Sequence, residues 1–224
     1  MKPQLSPRQK QILYYLAKEQ VASFEPVGSI QIKEKYDLSF SPATIRHELY
    51  ELCQMEYLEQ PHTSAGRILS DFGWEILISD FLEDVLINDD IVDLPEDFNE
   101  FANQLAQATK ALSIVFDWKN NKLYKKGISY LLNDKVINDI KELSLISNII
   151  DRLDDKLDEL KDILFNKQIN VYIGKKNPLF NNQHLAFIGT KSDKDKLIIA
   201  IITPKITDYE DHFKLFNQLI NTLN

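Results

Sequence analysis

Apolar residues recur along this chain at two periods, and each period predicts an element. Ile12, Leu13, Leu16 and Ala17 fall at helical spacing behind Ser6-Pro7-Arg8-Gln9, which has the form of a capping box, so a helix is predicted over 5–20. Phe24-Glu25-Pro26-Val27-Gly28 interrupts it. Gly28 or Ser29 opens a second short helix through Ile32 to Tyr36, and 37–40 turns the chain. Ile45, Leu49 and Leu52, four and three apart, place one buried stripe on a third helix. Its start is written in two residues. Ser41 can accept the N–H of Thr44, and Pro42 suits the first helical position because its missing N–H would have no partner there. Tyr57 to Gln60 is extended and partly apolar, Pro61 to Gly66 is turn chemistry, and Arg67-Ile68-Leu69 returns as a paired strand. Ser70 caps a fourth helix from Asp71 to about Leu86, with Phe72, Ile76, Ile78, Phe81, Leu82 and Val85 available for burial.

Acidic residues and Pro95 between Asn88 and Phe98 set the domain boundary. Residues 1–70 form a first domain, 71–98 a connecting helix and linker, and 99–224 a second domain. In the second domain a helix is predicted over 99–112, a strand over 113–118, a turn at Lys119-Asn120-Asn121 and a return strand at Lys122-Leu123-Tyr124. Helical segments follow around 128–132 and 136–140. Leu143, Ile146, Ile150, Leu153, Leu157, Leu160 and Leu164 alternate spacings of three and four, predicting one helix with a continuous apolar seam. Ile149 and Ile163 widen that face, which suits packing on a sheet; self-association is the competing use. Strands are predicted over 169–173, 184–189 and 197–203, the last two antiparallel around Ser192 to Lys196. A closing helix uses Tyr209, Phe213, Phe216, Ile220 and Leu223. The fold class is α+β.

The third helix turns Ala43, His47, Tyr50 and Gln54 away from its buried stripe, with Arg46 on the flank. A small residue, hydrogen-bonding side chains and an Arg on one helical face suit the DNA major groove. A helix followed at once by a tight hairpin with an Arg at its base is the layout of a winged helix-turn-helix, whose wing reaches phosphates or the neighbouring minor groove. The candidate DNA-binding residues are Ser41, Ala43, Thr44, Arg46, His47 and Tyr50 on the helix, with His62, Thr63, Ser64, Gly66 and Arg67 on the hairpin.

Charge refines this picture. The net charge of −8 argues against nucleic acid when taken globally, yet residues 1–70 hold eight Lys/Arg and eight Asp/Glu and are neutral. The remaining 18 bases and 26 acids carry the whole −8, and eleven acids fall in 71–100, which has no Lys or Arg. That run reads as a solvated face and linker, with occupation of a basic face as its sharper alternative. Non-specific attraction to phosphate is expected to be weak, leaving base contacts and dimer geometry to carry binding. No apolar run approaches the ~20 residues a membrane span needs. The first six residues lack the apolar core of a signal peptide, so a cytoplasmic protein is expected. One cysteine, Cys53, allows no internal disulfide. His47, His62, His184 and His212 lie on separate segments, Ser64 lacks a nucleophile-elbow pattern, and no Gly-rich phosphate loop is present, so neither metal, cofactor nor enzymatic site is predicted. Asp154-Asp155 and Asp158-Glu159 sit on the polar side of the seam and read as solvated.

Glu25-Pro26-Val27-Gly28-Ser29, then Ser41 to Arg46, then Tyr57 to Ile68 closely resemble the heat-inducible transcription repressor family HrcA. Val171-Tyr172-Ile173-Gly174 and Asn177-Pro178-Leu179-Phe180 resemble the same family's C-terminal signature, in the right order. The resemblance spans roughly 5–73 and 123–180. It implies a GAF-like second domain, a homodimer on an inverted-repeat operator in double-stranded DNA, repression of chaperone genes, and the chaperonin GroEL as a partner that keeps the repressor active. Typical members are longer, and the missing portion falls between Trp118 and Leu123, where the dimerisation insert would lie; Asn120-Asn121 closes the gap. His47 stands where members usually carry Asn, Leu69 where they carry Pro, and Trp74-Glu75 where they carry Tyr-Arg. The rival functions are a winged-helix protein-interaction module and a small-molecule-sensing regulator without the heat-shock role.

Overall fold

The computed structural model describes residues 4–62, 66–84, 96–132, 140–174, 177, 179–180 and 182–222. The chain divides into two compact units, Met1–Glu83 and Asp84–Asn224.

The first unit opens with α1 (Pro7–Ser23), where Ser6 and Gln9 make the reciprocal capping box and Phe24 ends the helix in a left-handed conformation. The predicted span of 5–20 is displaced towards the C-terminus because the cap sits at Ser6 and the last turn continues to Ser23. Then come α2 (Ser29–Lys35), α3 (Pro42–Gln54), β1 (Leu58–Glu59), β2 (Ile68–Leu69) and α4 (Asp71–Asp84). Ile12, Leu13 and Leu16 of α1 meet Ile32 of α2 and Ile45 and Leu52 of α3, all fully buried. Each such side chain stabilises the unit by about 1.5–3 kcal/mol.

A polar knot locks α1 to α2. Buried Glu19 accepts hydrogen bonds from Gln31 Nε2 and Tyr36 Oη, both at 2.9 Å, and lies 2.8 Å from Lys35 Nζ. Burial raises the Glu19 pKa, but the three donors together hold it below the usual carboxylate value. Tyr36, which stacks on Tyr15 with ring centroids 4.0 Å apart, is pushed up to about 12 by burial and by Glu19.

In α4, Ser70 Oγ accepts the Gly73 N–H at 2.9 Å, as the sequence predicts. The buried stripe there is Trp74, Leu77 and Ile78. Phe72, Ile76, Phe81 and Leu82 are only half-buried, and Val85 lies outside the described residues. An ion pair from Lys10 to Asp80 at 2.9 Å joins α4 to α1.

The second unit is built on one antiparallel sheet. Its elements are α5 (Phe98–Thr109), β3 (Leu112–Asp117), β4 (Lys122–Lys126), α6 (Ile128–Leu131), α7 (Ile140–Asp151), α8 (Leu157–Ile163), β5 (Asn170–Ile173), β6 (Leu185–Ser192), β7 (Leu197–Pro204) and α9 (Tyr209–Thr222). The strand order is β4-β3-β7-β6-β5. The three central strands are buried almost without interruption because both sheet faces are covered. Leu112, Ile114, Phe116, Leu185, Phe187, Ile198, Ala200 and Ile202 join one core with Ile146, Ile150, Leu153, Leu160 and Leu164. The alternate positions lie under α5 and α9, where Ser113 Oγ donates to the Ala102 carbonyl.

Several predicted bounds move. The helix expected over 99–112 stops at Thr109, because Leu112 already pairs with Ile202. The return strand extends from Tyr124 to Lys126, paired with Ser113. The expected segment at 136–139 lies outside the described residues. The predicted continuous seam is broken, since a 3-10 turn at Asp154–Lys156 separates α7 from α8. A straight helix drifts about 20° per heptad from a strict seven-residue repeat. The break lets the stripe stay on the sheet; Leu143 and Leu145 are left exposed. The turn between β3 and β4 is made as expected by Asn120 and Asn121. Asp117 accepts from the Asn120 main chain at 3.1 Å and from its side chain at 2.6 Å, and Asn121 has φ 52°.

His212 of α9 is buried, with Nε2 2.9 Å from Thr207 Oγ1. Burial drives its pKa down to about 4, against a smaller upward pull from Asp208 and Asp211. The unfolded chain protonates this ring near 6.5. Between those values the unfolded state therefore holds more protons, and stability falls as pH drops. Between pH 7 and 4 this ring removes about 3 kcal/mol of stability from the second unit. Urea melts followed through Trp118 in a Trp74→Phe chain check this; a His212→Gln variant loses that part of the pH slope.

Candidate nucleic-acid interface

The surface from 41 to 67 is assembled from α3 and the hairpin behind it. Ser41 Oγ accepts the Thr44 N–H at 3.1 Å and lies 2.9 Å from Thr44 Oγ1, so Thr44 is engaged in the cap and half-buried. Ile45, Leu49 and Leu52 are buried beneath. Ala43, Arg46, His47, Tyr50 and Gln54 are exposed, Tyr50 to 52%. The acid on this helix is drawn aside. Glu48 Oε1 lies 3.3 Å from Arg8 Nη1 on α1, and the Arg8 guanidinium also stands 5.2 Å over the Phe40 ring. The carboxylate nearest Arg46 and His47 in sequence is thus partly neutralised and mostly covered.

The hairpin is held by more than its own strands. Leu58 pairs with Leu69 and Glu59 with Ile68. On the opposite edge of β2, Arg67 and Val27 exchange two main-chain hydrogen bonds of 2.8 Å, an isolated bridge that no strand continues. Gly66 makes this approach possible. A Cβ there would stand 2.5 Å from both the carbonyl carbon and the oxygen of Val27. Gln20 Oε1 accepts the Leu69 N–H at 2.9 Å, and Ser70 Oγ donates to the Glu56 carbonyl at 2.7 Å.

The hairpin candidates separate accordingly. His62 is exposed, while Thr63 and Ser64 lie outside the described residues. Gly66 has a structural assignment of its own, packed against Val27. Arg67 is half-buried; its Nη1 lies 3.4 Å from the Gly66 carbonyl, and its charge acts on Cys53 of α3. Burial pushes the Cys53 thiol up, and Arg67 only partly offsets this, so the thiol stays protonated at neutral pH. Sequence reasoning passed over Gln20, Val27 and Arg8. Gln20 did leave a signal, because it falls four residues after Leu16 and so continues the buried stripe as a polar residue.

Elsewhere, a groove of about 310 Å³ runs beside α7, walled by Leu145, Ile149, Leu153 and Leu179 with Arg152 at its side. Among the described residues, no three His, Cys, Asp or Glu side chains gather as a metal site would require.

Comparison with known proteins adds the following. Residues 73–212 match a family model described as the HrcA protein C terminal domain. The chain is 29% identical to the heat-inducible transcription repressor HrcA of Clostridioides difficile (strain 630), over 99% of this chain and 65% of the relative. It is 40% identical to the protein of the same name from Desulfitobacterium hafniense (strain DSM 10664 / DCB-2), over 49% of this chain and 33% of the relative. The chain therefore spans less than two thirds of the length of these curated relatives. A crystal structure of a hypothetical protein at 2.2 Å resolution superposes with TM-score 0.76 at 18% identity, covering 97% of this chain and 98% of the other, and so shares its fold.

The close packing of Gly66 gives an expected outcome. Gly66→Ala forces the chain apart at Val27, weakening the first unit by about 1–3 kcal/mol as overpacking does. Urea melts measure the loss, and amide exchange at Val27 and Arg67 locates it.

Proposed function

The chain belongs to the HrcA family, and from that premise we propose that it is a transcriptional repressor of heat-shock genes that reads an inverted-repeat operator as a dimer. One observation carries this reading: α3 offers Ala43, Arg46, His47 and Tyr50 outward above a buried stripe, directly before a hairpin anchored on three sides. A helix of this size fits the major groove. There Arg46 can present two N–H groups to a guanine edge, His47 can donate to or accept from a base, and Ala43 offers a methyl contact to thymine. Tyr50 reaches the periphery. Ser41 and Thr44 hold the start of the helix, where free N–H groups face a phosphate. His62 serves the wing, the part the sequence pattern also gives to Thr63 and Ser64.

Charge supports reading over mere sticking. A neutral 1–70 segment gives little non-specific affinity, so base contacts and two-fold symmetry supply the energy. The second unit, GAF-like in this reading, carries the effector role, with chaperonin GroEL as the partner implied by family. No helix among the described residues is long and apolar enough to cross a membrane.

Fluorescence anisotropy on inverted-repeat and scrambled duplexes across a salt series tests the proposal. Tight, sequence-dependent binding that weakens with salt is expected; equal binding to both duplexes, or none, rejects it in favour of an interaction module. Arg46→Ala should weaken the preferred duplex by about 1–3 kcal/mol and relax base choice at one position in each half-site. Light scattering of the complex should give two chains per duplex, since two-fold sites need two readers about one helical turn apart. One chain per duplex excludes the dimer.

A further inference from the structure

The outer edge of β2 is one strand short. In antiparallel pairing, successive residues of a strand direct their main-chain groups alternately to one neighbour and the other. Ile68 pairs with Glu59 of β1, so Arg67 and Leu69 face away from β1. Arg67 meets Val27. Two residues on, a continuous third strand would offer the carbonyl of residue 25 to Leu69. No such strand continues, because the chain has already turned through Pro26 and the left-handed Phe24 into the end of α1. The missing carbonyl is supplied by a side chain, Gln20 Oε1, which takes the Leu69 N–H at 2.9 Å from a site only 2% exposed.

Gln20 and Arg8 lie near opposite ends of the same helix. Arg8, in its first turn, holds Glu48 of α3; Gln20, in its last, holds β2. A 17-residue helix is stiff, so these two bonds fix the hairpin against the outward helix through one rigid part.

We infer that Gln20 is a positioning residue of the DNA interface, its carboxamide standing in for an absent third strand so that α1 sets where the wing meets the duplex relative to α3. The inference rests on the DNA-reading function proposed above. Gln20 touches no DNA; it acts through Leu69.

The test uses the full chain with two substitutions. Gln20→Met removes the acceptor while keeping length and apolar bulk. Leu69→Pro removes the donor without taking a hydrogen bond from the β1 ladder. The probe is a duplex enriched from a random-sequence library by the unaltered chain, set against a scrambled duplex of the same composition. Partial unfolding lowers both affinities together and leaves their ratio alone, so the ratio reports positioning. Gln20→Met is expected to reduce that ratio about tenfold, and adding it to Leu69→Pro should change the ratio no further, because the two share one bond. Amide exchange at Val27 and Arg67 should quicken in Gln20→Met while that of Ile12 to Leu16 holds. An unchanged ratio in Gln20→Met overturns the inference, as does unchanged exchange at Val27 and Arg67, or full additivity in the double variant. Should the unaltered chain prefer no duplex, the DNA-reading proposal itself fails and the positioning role goes with it, a result separate from any of those three.

Discussion

A hairpin of two-residue strands does not hold itself together in water, so the 41–67 surface depends on the main-chain pairing of Arg67 with Val27. That pairing ties the base of the turn to the segment after α1 through one isolated bridge. It requires a glycine beside it, because nothing larger fits between the two backbones. Gly66 is thus the residue on which the hairpin's position rests. The remaining attachments, Gln20 to Leu69 and Ser70 to Glu56, add precision to a contact already made. The outward face of α3 needs no such help, since Ile45, Leu49 and Leu52 anchor it directly in the core of the first unit.

Much of this was legible in the residues. Ser6, Ser41 and Ser70 announced three helix starts, because a cap hydrogen bond is local and needs no knowledge of the fold. The buried stripe of α3 was equally plain, since 3.6-residue periodicity is set by the helix alone. Contacts made at long range were hidden. The inward turn of Arg67 towards Cys53 depends on where α3 ends relative to the hairpin, and no spacing encodes that. The stripe of α4 differs from the one its sequence predicts for a related reason. Phe72 to Leu82 is apolar nearly all round, so only the packing partner decides that Trp74 and Leu77 face inward.

The second unit shows the same division. Strands with both faces covered lose the alternation that would reveal them, yet the apolar runs from Leu185 to Ile188 and from Leu197 to Ile202 still mark them. The seam from Leu143 to Leu164 was visible, and its use as a sheet-packing face follows from its width. Its interruption at Asp154 was not visible, because a sheet dictates where a helix must bend and the helix sequence does not. The turn at Asn120-Asn121 could be read in advance. Asparagine tolerates positive φ, and Asp117 is placed to accept its neighbour's amide.

Arg46 and Arg67 make the physical lesson concrete. Both are arginines in a segment whose net charge is zero, and composition cannot separate them. Arg46 is exposed on a helix face from which the nearest carboxylate has been drawn away by Arg8. Arg67 is half-buried, with Nη1 3.4 Å from the Gly66 carbonyl and its charge beside Cys53. A guanidinium packed half-buried against the protein has fewer of its donors within reach of a phosphate than one facing water, so in the proposed function its gain from DNA is smaller. In the proposed function, contacts to bases therefore fall chiefly to α3, and the hairpin serves by its position.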